Sequence, residues 1–442
     1  MKKNLIMGVA KSYDWDTLEP FVLSWKKNCP SADLILFVDD LSDFTRDKLV
    51  RWGCVLKEFP AEMKAGIPNN VRWKIFDDFL EIQGNEYEQI FLTDTRDVIF
   101  QNDLFEQFNG YKNWLGCATE GVYFRDCEVN YGWFIDCFGK EEIEKFLDKI
   151  VICDGTVIGT TAEIKIFASK MWKLLFSIEK KFNYRIHDQT IANYLVYNNL
   201  LPIKNFIESD IYSGEIFTAG AANNFFVRGD KIFRNGGVPA VVHQYDRKDE
   251  LLALVDEIYH DKNFYFDERF TDTRSIIEQT TSLLRADKIG AASKIFLRKY
   301  LSDTDFSNFG GALIRLLNIA LKKPLSKPLE ILELAVQSAA KSTYKYSGYF
   351  LADVCAMPKR LEEKGHPVDP EFKLHAANII LELARQCLNE KDFGKFFYFT
   401  DKIKEFVLPK NKDFYLLQAK AYQILGKKDA ELEAYKKALE LS

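Results

Sequence analysis

The spacing of apolar and polar positions changes near residue 262. Before it, short apolar runs alternate with amphipathic stretches. Residues 4–10 carry a continuous apolar run with Gly8 inside it and predict a buried strand. Residues 15–28 have a helical period, stopped by Pro30. Residues 34–38 predict a second strand ending in Asp39-Asp40, 42–52 a helix and 54–57 a short strand. Residues 71–81 predict an amphipathic helix, and 89–93 a long strand that runs into Asp94-Thr95-Arg96-Asp97. A βαβαβ order implies a largely parallel sheet covered by helices, with ligands beyond the carboxyl ends of its strands. Gly8, Asp39, Asp40, Asp94 and Asp97 all fall at such ends.

The pattern then loosens. Residues 114–119 and 151–159 predict strands, 161–178 a helix capped by Thr160 or Thr161, and 188–198 another helix. Residues 225–233 predict a hairpin turning at Gly229-Asp230, and 238–242 form a last apolar run. Beyond 262 the chain is rich in Leu, Ala and Lys at helical spacing. In 413–442, Ala421, Tyr422, Gly426, Tyr435 and Ala438 resemble the packing positions of a tetratricopeptide repeat, with Glu431 as a departure. Residues 274–300 and 371–407 are looser helix pairs. The expectation is an α/β domain over 1–262 and an all-α, tetratricopeptide-like helical-repeat domain over 263–442.

Composition narrows the function classes. A chain of 442 residues holds two or three domains. With 47% hydrophobic and 14% aromatic residues it builds ordered cores. Its 60 Lys+Arg against 65 Asp+Glu argue against a general nucleic-acid binder. No apolar run reaches the ~20 residues of a transmembrane helix, and the first apolar stretch is too short for a signal-peptide core. The eight cysteines are scattered without a C-x-x-C, which suits reduced thiols in a cytoplasmic protein.

The sharpest chemistry is Asp94-Thr95-Arg96-Asp97 between two apolar runs. Carboxylates near a buried sheet edge need compensation. A hard divalent cation supplies it, and such sites commonly hold a substrate diphosphate as well. The bland alternative is a capped turn in which both aspartates pair with Arg96. His243 follows the last apolar run and precedes Arg247 and Lys248, which suit phosphate oxygens. Cys153-Asp154-Gly155-Thr156 reads as a polar turn in which glycine admits a ligand close to the backbone. Asp188-Gln189 opens a helix, where Asp188 also suits an N-cap.

In this order, these motifs resemble a glycosyltransferase of the GT-A fold, with a Rossmann-like, mostly parallel sheet. The aspartate motif resembles that fold's DxD metal site. Asp188-Gln189 and His243 resemble retaining enzymes such as the bacterial lipopolysaccharide galactosyltransferases and glycogenin. The resemblance implies Mn²⁺ or Mg²⁺ held by Asp94, Asp97 and His243, and a nucleotide-diphosphate sugar as donor. It implies donor-sugar contacts from Asp188, Gln189 and the Asp154-Gly155-Thr156 turn. Gly8, Val9, Ala10 and Asp39 would line the base and ribose, and Arg72 and Lys74 would reach ribose or phosphates. Here the aspartates stand three apart rather than two, so either could ligate directly, and Arg96 could orient both.

Transfer to an acceptor hydroxyl follows. Arg247 or Lys248 would stabilise the leaving diphosphate and Asp188 the oxocarbenium-like centre. Retention needs no dedicated base, whereas inversion needs one, for which Asp154 and Glu120 are candidates. Tyr13, Trp15, Tyr123, Trp133, Phe225 and Phe226 are candidates to stack a base or sugar. The resemblance further implies bacterial surface polysaccharide or lipopolysaccharide synthesis, with a glycan, lipid-linked or protein acceptor. The helical domain would dock protein partners or orient the acceptor. Lys402, Lys404, Lys410 and Lys412 would either touch the inner face of a membrane or form a solvated helix face. Two rivals are an aspartate-dependent phosphotransferase, which normally requires D-x-D spacing, and a non-catalytic adaptor carrying a degenerate transferase domain.

Overall fold

The computed structural model describes residues 2–182, 187–286 and 412–441, with scattered positions between 288 and 400. The chain forms two compact units, Met1–His260 and Asp261–Ser442.

The first unit is mixed α/β. It begins β1 (Lys3–Lys11), α1 (Trp15–Asn28), β2 (Asp33–Asp39), α2 (Asp43–Arg51), β3 (Val55–Glu58) and α3 (Pro68–Gln83). It continues β4 (Tyr87–Thr93), β5 (Val98–Phe100), α4 (Leu104–Gln107), β6 (Trp114–Tyr123), α5 (Glu128–Phe138) and α6 (Lys140–Ile143). Next come β7 (Ile150–Thr160), α7 (Thr161–Phe182), α8 (Asp188–Tyr197), β8 (Asn205–Ser209) and β9 (Ile216–Thr218). Last are β10 (Phe225–Arg228), β11 (Lys231–Arg234), β12 (Val241–His243) and α9 (Asp249–Tyr259).

Seven strands form one sheet in the order β3-β2-β1-β4-β7-β6-β8. β7 runs antiparallel to both of its neighbours, and the other pairings are parallel. The inner parallel strands β1, β2 and β4 are buried on both faces, which is why they read as unbroken apolar runs. On one face Trp73, Phe76 and Leu80 of α3 pack with Phe167, Met171 and Leu175 of α7. The α3 helix starts three residues before the predicted span because Pro68 stands at its first turn, where a missing N–H costs nothing.

A second, three-stranded sheet has the order β5-β12-β9. β12 is antiparallel to β5 with His243 opposite Val98, and parallel to β9. The expected polar turn at Asp154-Gly155-Thr156 is instead the inside of continuous strand β7. Its pairing with β6 jumps from Cys117–Val157 to Ala118–Cys153, so these residues form a bulge. Asn193 of α8 clamps the base of the bulge, since its side chain exchanges two 2.8 Å hydrogen bonds with the backbone of Ile152.

In the second unit, α10 (Thr273–Arg285), α11 (Lys412–Ile424) and α12 (Lys428–Leu439) are described. Gly426, at φ +68°, closes α11 in a left-handed cap, with the Lys427 N–H donating to Tyr422 O at 2.9 Å. Ala421, Ala434 and Ala438 are buried between the paired helices. Lys402, Lys404, Lys410 and most of the expected helix pairs at 274–300 and 371–407 lie outside the described residues. Among the described residues, no helix is long and apolar enough to cross a membrane.

Candidate functional site

The turn from Asp94 to Asp97 leaves β4 and enters β5, so it passes from one sheet to the other. Each sheet holds one end of it. The Asp94 N–H donates to Gly155 O at 2.8 Å, tying the turn to the β7 bulge. The Gln244 N–H donates to Asp97 O at 2.8 Å, tying it to the end of β12. His243 is thereby carried onto both aspartates. Its Nε2 lies 3.4 Å from Asp94 Oδ2 and 3.5 Å from Asp97 Oδ1.

These three ligand atoms lie within 4.8 Å of one another. Cis ligands of an octahedral ion with bonds of ~2.1 Å stand ~3 Å apart, so small shifts would seat one. His243 Nε2 is buried without a hydrogen-bond partner, and Nδ1 faces Cys153 Sγ at 3.5 Å. A methyl group on Gly155 would meet Asp94 Oδ2 and His243 Cε1 at 2.6 Å each, so glycine leaves this space open. Two carboxylates and one imidazole suit Mn²⁺ or Mg²⁺. Burial opposes charge on His243, but Cys153, Asp97 and Asp94 push its pKa well above the ordinary imidazole value. A positive charge is what this position favours.

A second group, Asp16, Glu19 and His260, is also close-set. Both nitrogens of His260 already face carboxylates, Glu19 at 2.7 Å and Asp256 at 3.0 Å, so it ties α9 to α1.

Beneath the first site lies Arg72, which is 3% exposed. Its Nη1 donates to Asp94 Oδ1 at 2.5 Å, and its Nη2 to Asp188 Oδ2 at 2.8 Å and Asp154 Oδ2 at 3.1 Å. Trp73 Nε1 also donates to Asp188, at 3.2 Å. Burial would raise the Asp94 pKa, but Arg72 and His243 hold it far below the usual carboxylate range. Asp154 goes the other way. Burial and the neighbouring Asp188 push it well above that range, against a smaller opposing pull from Arg72.

Several expectations change here. Arg72 faces the site, but its Nη atoms serve three carboxylates of this chain rather than standing open to a phosphate. Lys74 points elsewhere: it pairs with Asp78 and lies 5.1 Å from the Trp172 ring centroid. Two residues along a helix is about 200° of rotation, so Arg72 and Lys74 take different faces. Arg96 pairs with Asp97 at 3.5 Å and Asp246 at 3.3 Å, and the role of orienting Asp94 falls to Arg72. Gly8 is a packing glycine, since a methyl group there would lie 2.3 Å from Thr95 Cγ2. Asp39 is held between Lys11 at 3.2 Å and Lys64 at 3.3 Å. Lys248 donates to Asn223 at 3.2 Å. Trp15 is a core residue.

A cavity of about 390 Å³ opens beside the aspartate–histidine cluster. Of the predicted residues, Arg72, Asp94, Glu120, Trp133, Asp154, Gly155, Asp188, Gln189, His243 and Arg247 line it. Gly8, Val9, Ala10, Asp39, Lys74, Asp97, Thr156 and Lys248 do not. Three further wall residues went unread in the sequence as site residues: Asn130, His187 and Gln244. Trp133 and His187 stack at 3.9 Å with rings 8° apart. The signal for Asn130 was weak because α5, which carries it, is interrupted by Gly132 and has no clean apolar stripe.

No family model matches the chain, and no curated protein matches it. Among solved structures it is similar to the galactosyltransferase LgtC. One structure, in complex with donor and acceptor sugar analogs, is 15% identical with a TM-score of 0.36. Another, of an active-site mutant of LgtC, is 15% identical with a TM-score of 0.38. Each match covers 60% of this chain and 98% of the LgtC chain.

Proposed function

We propose that the chain is a metal-dependent glycosyltransferase of GT-A type that moves a sugar from a nucleotide-diphosphate sugar to an acceptor hydroxyl with retention. The observation that carries this reading is the trio Asp94, Asp97 and His243, set around the space Gly155 leaves open, beside a polar cavity. These residues would hold Mn²⁺ or Mg²⁺, which when bound offsets charge on a departing diphosphate.

The chain's own residues divide the remaining work. Arg247 is exposed at the cavity and packs over Gly220, whose added methyl would lie 3.1 Å from its Cδ. It binds diphosphate oxygens. Asp188 is committed through Oδ2 to Arg72 and Trp73. The role of facing the anomeric carbon therefore passes to Gln189. The Gln189 amide nitrogen donates to Glu120 at 3.2 Å and to Asn130 at 2.8 Å. Its carbonyl oxygen is left for the substrate, where it stabilises developing positive charge.

The bond from anomeric carbon to phosphate oxygen breaks, and one to the acceptor oxygen forms on the same face. The acceptor's proton goes to the released phosphate. Retention is favoured because neither base candidate stands open: Asp154 lies on Arg72, and Glu120 accepts from three amides. A place for base and ribose at the ends of β1 and β2 rests on the motif resemblance alone. A bacterial surface-glycan setting, with a glycan, lipid-linked or protein acceptor, rests on the motif resemblance alone.

A panel of nucleotide sugars tested by thermal shift with and without Mn²⁺ examines this. One donor is expected to raise the melting temperature only with metal, and Asp97→Asn to abolish its turnover. No shift with any donor or metal counts against the reading. A product anomer opposite to the donor's, assigned by NMR, removes retention.

A further inference from the structure

Glu120 ends the buried part of β6, where the strand reaches the cavity. Side-chain amides from three other elements converge on it. Gln189, in the first turn of α8, donates Nε2–H to Glu120 Oε1 at 3.2 Å. Asn130, in the first turn of α5, donates Nδ2–H to Glu120 Oε2 at 3.3 Å. Gln244, directly after the metal-site histidine, donates Nε2–H to Glu120 Oε1 at 3.5 Å. The ring closes because Gln189 also donates to Asn130 Oδ1, at 2.8 Å. On the far side of Gln244, an added methyl at Gly220 would lie 2.1 Å from Oε1, so the oxygen packs on the glycine and the nitrogen faces Glu120.

An ionised carboxylate only accepts, whereas an amide has a donating and an accepting end. The triangle of Glu120, Asn130 and Gln189 is satisfied in one sense only while position 120 is acceptor-only. Asn130 must then give Nδ2 to Glu120 and turn Oδ1 toward Gln189. Gln189 must in turn give its nitrogen to both and leave its carbonyl oxygen to the cavity.

We propose that Glu120 is a positioning residue for sugar transfer: it fixes the orientation of the Gln189 amide, and with it the carbonyl that faces the reacting carbon. This rests on the role given to Gln189 above. Glu120 takes no proton and forms no bond in this scheme.

The logic can be inverted without changing net charge. In Glu120→Gln, the new amide nitrogen meets the Asn130 nitrogen, Asn130 must turn over, and Gln189 loses its acceptor there. Adding Asn130→Asp makes position 130 acceptor-only. The new amide then donates to it, and Gln189 again donates to both neighbours.

The experiment measures donor consumption in wild type, Glu120→Gln and Glu120→Gln/Asn130→Asp, after melting curves show all three folded. Glu120→Gln is expected to lower kcat by roughly 100-fold, the cost of a misplaced group near the reacting centre, with donor KM and Mn²⁺ affinity within about twofold. The double variant is expected to recover most of that loss. A wild-type kcat in Glu120→Gln, or a double variant no better than the single one, overturns the proposal. If the wild type consumes no nucleotide sugar, the transferase reading fails on its own. The orientation is then read from protein labelled with ¹⁵N-glutamine. Slow exchange of the Gln189 side-chain amide protons, lost in Glu120→Gln and regained in the double variant, supports it. A signal that Glu120→Gln leaves unmoved rejects it.

Discussion

A methyl group on Gly155 would stand 2.6 Å from the Cε1 of His243, closer than two such carbons approach in a folded protein. The β7 bulge thus presents a bare Cα where the imidazole crosses it, and Asp94 Oδ2 would be met at the same 2.6 Å. Gly155→Ala must therefore push Asp94 and His243 apart. Overpacking costs about 1–3 kcal/mol of stability. The larger effect is expected on the cation, with Mn²⁺ affinity falling at least ~10-fold. Mn²⁺ titration followed by electron paramagnetic resonance measures it. A folded variant that binds Mn²⁺ as tightly as wild type would remove the trio as the metal site.

Gly8 and Thr95 make a second close pair, and this one is structural. The Thr95 Oγ1 donates to Val9 O at 2.7 Å while its methyl group covers Gly8. Gly8→Ala is expected to cost about 1–3 kcal/mol through overpacking. Thr95→Ser keeps the hydroxyl and removes the obstructing methyl, so the double variant Gly8→Ala/Thr95→Ser should be more stable than the two single losses added together. Urea denaturation of all four proteins gives the coupling energy. Strict additivity would show that Gly8 is present for another reason, such as the approach of a nucleotide.

Which parts of this were legible follows from burial and from sequence distance. The β1, β2 and β4 strands announced themselves because both faces are covered, and the aspartate turn stood out between two apolar runs. The β9 strand has three residues, too few to show a period, whereas β12, which brings His243 to Asp97, was visible as the apolar run over 238–242. Arg72 was read as reaching ribose or phosphates, but its carboxylate partners stand 22, 82 and 116 positions away, which no spacing rule reaches. Lys74 is a different kind of miss. The helical period alone separates it from Arg72 by about 200°, so the sequence held enough to assign them to different faces.

Asp154 gives a pH signature. Its carboxyl is pushed well above the usual range by burial and by Asp188, so the folded state holds this proton more tightly than the unfolded chain does. A group whose folded pKa is raised contributes stability that is full below its unfolded value, near 4, and is lost as pH rises from there toward the folded value. Asp154→Asn is neutral at every pH and keeps an oxygen for Arg72 and a donor for Asp188. In metal-free buffer the two proteins should be similar near pH 4. Wild type should then fall behind as pH rises, by at most about 1.4 kcal/mol per pH unit. Melting curves from pH 4 to 8 check this, and a gap that stays constant with pH would contradict it.

The sequence reading gives Arg247 or Lys248 to the diphosphate and Lys74, with Arg72, to ribose or phosphates; the structure separates Arg247 from the two lysines. Arg247 is exposed on the cavity wall beside Gly220, four residues beyond His243, and no ion pair to it is found among the described residues. Lys248 is engaged with Asn223, and Lys74 with Asp78 on another face of α3. Arg247 lines the same cavity as Asp94 and His243, and Lys74 and Lys248 do not. Arg247→Ala is expected to weaken binding of a nucleoside diphosphate in the presence of Mn²⁺ by about tenfold, or ~1.4 kcal/mol. Lys74→Ala and Lys248→Ala should stay within about twofold of wild type. Calorimetric titrations at two salt concentrations distinguish the cases, because the Arg247 contribution is partly solvent-exposed and should shrink as salt rises. Equal losses from all three variants would mean that the gain is general electrostatic attraction, and that Arg247 makes no directed contact with the diphosphate.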